Sequence, residues 1–285
     1  MAGLSRWNRI PLIVRALVAG FTITAFGGGI WGTLLVTNLQ TSPQFPWAVP
    51  VMGIVLVLLW KYLNGSGWPK TTSDLRRSRL RANPVSGPAW KWALISGGSG
   101  IVSMTGLWIV TGNLVKMPAI LLPDMPGSPT YGAILMLIMA SLVAPISEEA
   151  GFRGYVQGPL EKKYGPLAAI LISSIAFSLA HLTHGFIPPR LFLYFLGGLI
   201  FALPAYLTNS ILPGIVIHIF ADLVFFLLIW PGDAGRVLVT DGGADAWFWT
   251  HVLQVLAFGL LAIFGFRKLA SLTRPLNDAP SPADD

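Results

Sequence analysis

The sequence predicts an all-α fold, a polytopic membrane protein of about eight transmembrane helices. Two features of composition and one of spacing lead there. Of the 285 residues, 54% are hydrophobic and only 11% charged, against the roughly 25% charge of a soluble domain. The mean hydropathy is +0.67. The apolar residues come in successive runs of about 18–22, the length that crosses ~30 Å of hydrocarbon at ~1.5 Å per residue.

The expected spans are roughly 14–38, 46–63, 90–112, 130–155, 166–184, 189–208, 211–230 and 246–266. The first follows Arg6, Arg9 and Arg15, is long enough to span and has no A-x-A cleavage site, so it reads as a retained helix. The fourth and fifth are separated at Lys163-Tyr164-Gly165-Pro166, where Gly stops one helix and Pro restarts the next. Pro213-Gly214 opens the seventh abruptly. The domain reading is one transmembrane domain over 1–276 and a disordered tail over 277–285, rich in Pro and Asp.

Charge follows this layout. An even number of spans puts both termini on one side, and alternating the loops gathers fifteen cations there, among them Arg6, Lys61, Lys70, Arg76, Arg77, Arg79, Arg81, Lys162, Lys163, Arg267 and Lys268. The other side holds only Lys116, Arg190 and Arg236. The positive-inside rule then predicts a multi-pass protein of the cell membrane with both termini cytoplasmic. The net charge of +7 is thus a topological feature and gives no reason to expect a nucleic-acid partner. The run Arg76-Arg77-Ser78-Arg79-Leu80-Arg81 is expected to face the anionic inner leaflet. Trp residues near the span ends, including Trp47, Trp60, Trp90, Trp230 and Trp247, read as interfacial belts.

Cysteine is absent, which excludes disulfides, thiolate ligands and a cysteine nucleophile. Chemistry must come from the few ionisable groups inside the spans: Glu148, Glu149, Arg153, His181, His184, His218, Asp222 and His251. A charged side chain at mid-bilayer costs ~2.5–3.5 kcal/mol on insertion scales, so such groups face the bundle interior and mark function. On a helix Arg153 stands at i+4 from Glu149, so these two pair. Glu148, turned about 100° away, is left as the carboxylate free for proton transfer. Folding the fourth and fifth helices antiparallel about the Tyr164–Gly165 bond sets His181 level with Glu148. His218 and Asp222 form an i,i+4 pair in which the carboxylate accepts from the ring and fixes its tautomer. His218 lies only ~10 Å from the start of its helix, shallower than His181 by residue counting. Protrusion of the fourth and fifth helices beyond the others reconciles the two depths.

The three segments, E-E-x-x-x-R at Glu148–Arg153, F-x-x-x-H at Phe177–His181 and H-x-x-x-D at His218–Asp222, resemble the CPBP family: the CAAX prenyl endopeptidases with their bacteriocin-processing and abortive-infection-like relatives. The resemblance covers about Leu135 to Phe226, within a core of about 130–230, and leaves the first three helices outside. It implies an intramembrane endopeptidase of eight helices acting on a peptide or membrane-protein substrate, with membrane lipid as its surroundings. Carried over by position, Glu148 and His181 polarise a water, His218 and Asp222 stabilise the oxyanion or orient the scissile carbonyl, and Glu149 and Arg153 shape the site. The CAAX-processing members typically have Asn where this chain has Asp222, and an ionised carboxylate cannot donate to an oxyanion. The preferred assignment is therefore that His218 donates and Asp222 orients it.

No cofactor is the preferred reading, because a glutamate and paired histidines activate water without a metal and no H-E-x-x-H helix is present. The alternative is a catalytic Zn2+ held by Glu148, His181 and His218. Two other functions stay open: a proton-coupled transporter relaying through Glu148, Glu149 and Asp222, for which paired repeats are missing, and a non-catalytic membrane scaffold or chaperone.

Overall fold

The structure is a computed structural model that describes residues 9–118, 125, 127–230 and 236–277, with side chains to Thr273. Helices α1 (Leu12–Thr41), α2 (Ala48–Leu63), α3 (Ser73–Leu80), α4 (Gly87–Leu114), α5 (Thr130–Tyr164), α6 (Pro166–Ala180), α7 (Pro188–Thr208), α8 (Leu212–Val224) and α9 (Ala246–Asn277) follow one another, with no strand among the described residues. Among the described residues seven helices are long and apolar enough to cross a membrane, and the expected second span, α2, is a shorter apolar helix of 16 residues. This is an all-α polytopic membrane protein. Asn277 still belongs to α9, which runs well past the expected end at 266; the rest of the tail lies outside the described residues.

Helix ends obey local chemistry. Gly165, at φ +80°, turns α5 into α6, which restarts at Pro166. The left-handed Asn209 closes α7, a conformation that Asn adopts more readily than most residues. Two helices are less regular than their hydropathy suggests. The central part of α5, Glu149–Gln157, winds as a π-helix, a geometry that is rare and concentrated at functional sites. Gly151 and Gly154 within it are too crowded for a side chain: the Gly20 carbonyl of α1 and the Thr24 hydroxyl abut Gly151, and the carbonyls of Arg79 and Leu80 abut Gly154. Likewise α6 ends at Ala180, and His181–His184 form a single 3-10 turn stopped by Gly185 at φ +94°.

The core centres on α5, α6, α7 and α8, where Phe152, Phe177, Phe201 and Ile217 pack together fully buried. Phe152 meets Phe177 edge-on at 5.7 Å between ring centroids, and the Ser173 hydroxyl donates to the Phe152 carbonyl at 3.1 Å. These contacts agree with the antiparallel register expected from a fold at Tyr164–Gly165. Helices α4 and α9 pair along their length through Ser103, whose hydroxyl donates to the Val255 carbonyl at 2.9 Å, and Gln254, which donates to the Val102 carbonyl at 2.7 Å.

The arginine run between α2 and α4 departs from expectation. Arg76 and Arg81 are buried in protein rather than turned to a leaflet. Arg76 donates to the carbonyls of Gly67, Trp68 and Pro69 at 3.1, 3.4 and 2.7 Å. Arg81 pairs with Glu161 at 3.1 Å and reaches the Ala205 carbonyl at 3.0 Å and the Asn209 side chain at 3.2 Å. The reason is geometric. Glu149 stands ~22 Å along α5 from Tyr164 while His218 stands ~9 Å from the start of α8, yet the two side chains touch. The end of α5 must therefore project roughly 13 Å past the start of α8. Helix α3 lies against this projecting end, and Arg81, just after it, bridges to Glu161 and the end of α7.

Replacing Glu161 by Ala leaves the Arg81 guanidinium buried without its counter-charge. That variant is expected to lose about 3–5 kcal/mol, read as earlier thermal unfolding of the purified protein in detergent, while Arg77→Ala, at an exposed position, should stay within about 0.5 kcal/mol of the parent. Equal loss in both variants would show that Arg81 does not anchor the projecting end.

Candidate active site

All four residues expected to act in the chemistry line one cavity of about 270 Å³ between α5, α6, α7 and α8: Glu148, His181, His218 and Asp222. Aromatic rings complete its wall, with Phe177 and Phe201 behind the polar groups and Trp108 and Phe225 beside them. A small apolar cavity carrying a few convergent polar groups is the usual form of a binding site.

Glu149 anchors the arrangement. Its carboxylate, fully buried, lies 3.5 Å from Arg153 Nε and 3.0 Å from His218 Nδ1. The expected i,i+4 pair is present. Arg153 also donates to the Gly198 carbonyl of α7 at 2.9 Å and lays its guanidinium 4.7 Å over the Phe177 ring, a cation–π contact that strengthens out of water. At Gly214 a Cβ would stand 2.9 Å from Glu149 Oε2, so α8 approaches this carboxylate closely because that position has no side chain.

The hydrogen bond to Glu149 corrects the expectation for His218. Its orienting partner is Glu149, 69 residues away, and not Asp222. Asp222 Oδ1 stands 3.7 Å from His218 Nε2 and Glu148 Oε2 stands 3.9 Å from the same nitrogen. Both distances exceed a direct hydrogen bond, and both fit groups that share a water or a substrate atom between them. The i,i+4 rule brought Asp222 to the ring but could not see a better acceptor on another helix. Phe201 stacks on the ring at 4.1 Å and 15°, which fixes its plane.

His181 is held differently. Its Nδ1 lies 2.8 Å from the Phe177 carbonyl. A carbonyl only accepts, so Nδ1 carries the proton, and in the neutral ring Nε2 carries the lone pair. Tyr194 of α7 stacks on this ring at 4.0 Å and 25°, and its hydroxyl bonds His184 Nδ1 at 2.9 Å. His184 thus joins the cavity wall as the partner of Tyr194. Tyr194 escaped the sequence reading because a tyrosine in an apolar span carries no local signal; only the fold of α6 against α7 brings it to His181. His251 lies on α9 and bonds the Trp247 carbonyl at 2.8 Å, away from the cavity.

Glu148, unlike Glu149, lines the cavity, and its Oε2 is buried and takes no protein hydrogen bond. For the zinc alternative, the donor set is incomplete: no group of three or more His, Asp or Glu side chains among the described residues is placed to hold a metal ion, so no step is derived through one.

Residues 130–224 match the family model of the type II CAAX prenyl endopeptidase Rce1-like group. Neither the curated proteins nor the solved structures yield a match to the chain. The matched segment spans α5 to α8 and includes every residue of the cavity's polar set, so this part of the chain is similar to that group of intramembrane peptidases.

Proposed function

We propose that this protein is an intramembrane endopeptidase in which Glu148 and His181 activate a water against a peptide bond. The observation that carries the reading is the pairing of a buried carboxylate oxygen that makes no protein hydrogen bond with a histidine whose accepting nitrogen is fixed by its own helix, both on one cavity. A buried polar atom of this kind is ordinarily satisfied by water. Water held between Glu148 Oε2 and His181 Nε2 gives one proton to Glu148 as its oxygen attacks the scissile carbonyl carbon. The carbonyl oxygen gains the charge, and His218 in its protonated form presents Nε2–H to it. Glu149, on Nδ1, provides the counter-charge that holds the ring in that form during the reaction, the role a carboxylate plays behind a catalytic histidine. Glu148 then delivers its proton to the leaving amine, and the C–N bond breaks. Asp222, close to the same Nε2, is the natural position for a group that touches the substrate oxygen or its neighbouring amide.

The reading also includes orientation: the Lys- and Arg-rich end, which carries α3 and the start of α8, faces the cytoplasm of a cell membrane.

Three measurements test this. Purified full-length protein in proteoliposomes, given a pool of synthetic hydrophobic peptides and followed by mass spectrometry, is expected to cleave some of them, with Glu148→Gln and His181→Ala each slower by about 10²–10⁴-fold. Cleavage untouched by both substitutions sinks the enzyme reading. On any peptide so identified, Glu149→Gln is expected to lower kcat by on the order of 10²-fold or more, compared at equal folded fraction, whereas Asp222→Asn retains activity because the amide can donate where the carboxylate cannot. An equal loss in Asp222→Asn would return the orienting role to Asp222. Finally, the absence of Cys makes single-cysteine labelling direct: Ser66→Cys should resist a membrane-impermeant thiol reagent in intact cells and Asp241→Cys should react, and the reverse pattern would invert the topology.

A further inference from the structure

A second, larger feature lies on the other side of α5. A groove of about 690 Å³ opens between α1 and α2, walled by Ile23, Phe26 and Ile30 on one side and Val55 and Leu58 on the other, with Tyr62 and Tyr155 at one end. Its walls are apolar and open outward: Phe26 is 52% exposed and Leu58 60%. In a membrane protein such a groove meets hydrocarbon, so its dimensions and its polar end decide what fits.

The groove's length follows α1 from Ala19 to Ile30, ~16 Å at ~1.5 Å per residue. Half of a ~30 Å hydrocarbon core is ~15 Å. A trough one leaflet deep suits a single acyl chain entering from one surface, whereas a crossing peptide helix needs the whole thickness. The surface in question is the Lys- and Arg-rich one, because Tyr62 stands in the last turn of α2, next to Leu63.

That end is also cationic and fixed in place. The Arg76 guanidinium lies 4.3 Å over the Tyr62 ring and is locked by the three carbonyls of Gly67, Trp68 and Pro69. Tyr155 lies close enough to Tyr62, Arg76 and Arg79 to interact with them electrostatically. Arg79 is half-buried, and its carbonyl lies against Gly154, the neighbour of Tyr155. Guanidinium and hydroxyl donors at the end of an acyl-sized trough match a phosphate ester attached to a chain.

We infer that the α1–α2 groove is a binding site for an anionic phospholipid, with one acyl chain along Phe26 and Leu58 and the headgroup phosphate beside Tyr62, Tyr155 and Arg79. The site is separate from the cavity of Glu148 and does not depend on the protease reading.

Native mass spectrometry of the purified full-length protein tests it, with phosphatidylglycerol and phosphatidylcholine of identical chains as probes. The intact chain should retain phosphatidylglycerol at least about fivefold better, the preference expected from one cation at the headgroup. Arg79→Ala should remove most of that preference, and Leu58→Trp, which fills the trough from a surface position, should weaken retention of both lipids. Glycerol phosphate, which has the headgroup chemistry without a chain, should fail to displace the lipid. Equal retention of the two lipids by the parent protein overturns the proposal without recourse to any variant. So does unchanged retention in Leu58→Trp, complete displacement by glycerol phosphate, which would mark an anion site alone, or displacement by a hydrophobic transmembrane peptide, which would assign the groove to peptide.

Discussion

The carboxylate of Glu149 is the constraint from which the rest of the site follows. An isolated ionised carboxylate out of water is prohibitively expensive, and it persists in an interior only when paired and hydrogen-bonded. Here Arg153 and His218 supply the partners at 3.5 and 3.0 Å, and Arg153 carries the connection on to the Gly198 carbonyl and the Phe177 ring. One charge therefore ties α5 to α8, α7 and α6. Removing a single partner from such a set leaves the others uncompensated at about 3–5 kcal/mol, so the four helices are held in one mutual register. The height of His218 in the membrane, and with it the position of Nε2 against Glu148, is set by this bond rather than by the length of α8.

The same bond accounts for the shape of the molecule at its cationic end. Since α8 must start where His218 can reach Glu149, the longer α5 projects beyond it, and α3 packs on the projection with Arg81 bridging to Glu161 and to the end of α7. Positive charge along the sequence is the basis for the expected orientation, because loop cations report the side of the membrane irrespective of their contacts. It could not reveal that Arg76 is buried under loop carbonyls and Arg81 against Glu161 and the end of α7 while Arg77 is exposed. A run of alternating arginines looks the same whether a lipid phosphate or a protein carbonyl awaits each one.

Legibility at the site divides along the same line between local and long-range. The Glu149–Arg153 pair could be read because both groups sit on one helix. The levelling of Glu148 with His181 could be read because a single tight turn at Gly165 joins their helices and fixes the register. The π winding of α5 could not, since it accompanies backbone contacts that α1 and α3 make at Gly151 and Gly154. Nor could the partner of His218: within its own helix Asp222 was the only acceptor in sight, and Glu149 comes from 69 residues away. Tyr194 and Phe201, which hold the planes of the two imidazoles, belong to α7, a helix whose hydropathy shows only that it spans.

The two histidines are oriented by different means, and under the proposed mechanism this divides the chemistry between them. His181 gives its Nδ1 proton to a main-chain carbonyl, a neutral acceptor that fixes the tautomer and leaves Nε2 as a lone pair for water. His218 gives its Nδ1 proton to a carboxylate, which in addition can balance positive charge on the ring as an oxyanion forms. Asp222 then stands in a position where a second carboxylate is not needed to orient the ring, only near enough to Nε2 to touch what the ring touches. Under the proposed mechanism Asp222 therefore lies on the substrate side of His218, at Nε2, while Glu149 holds the opposite nitrogen, Nδ1.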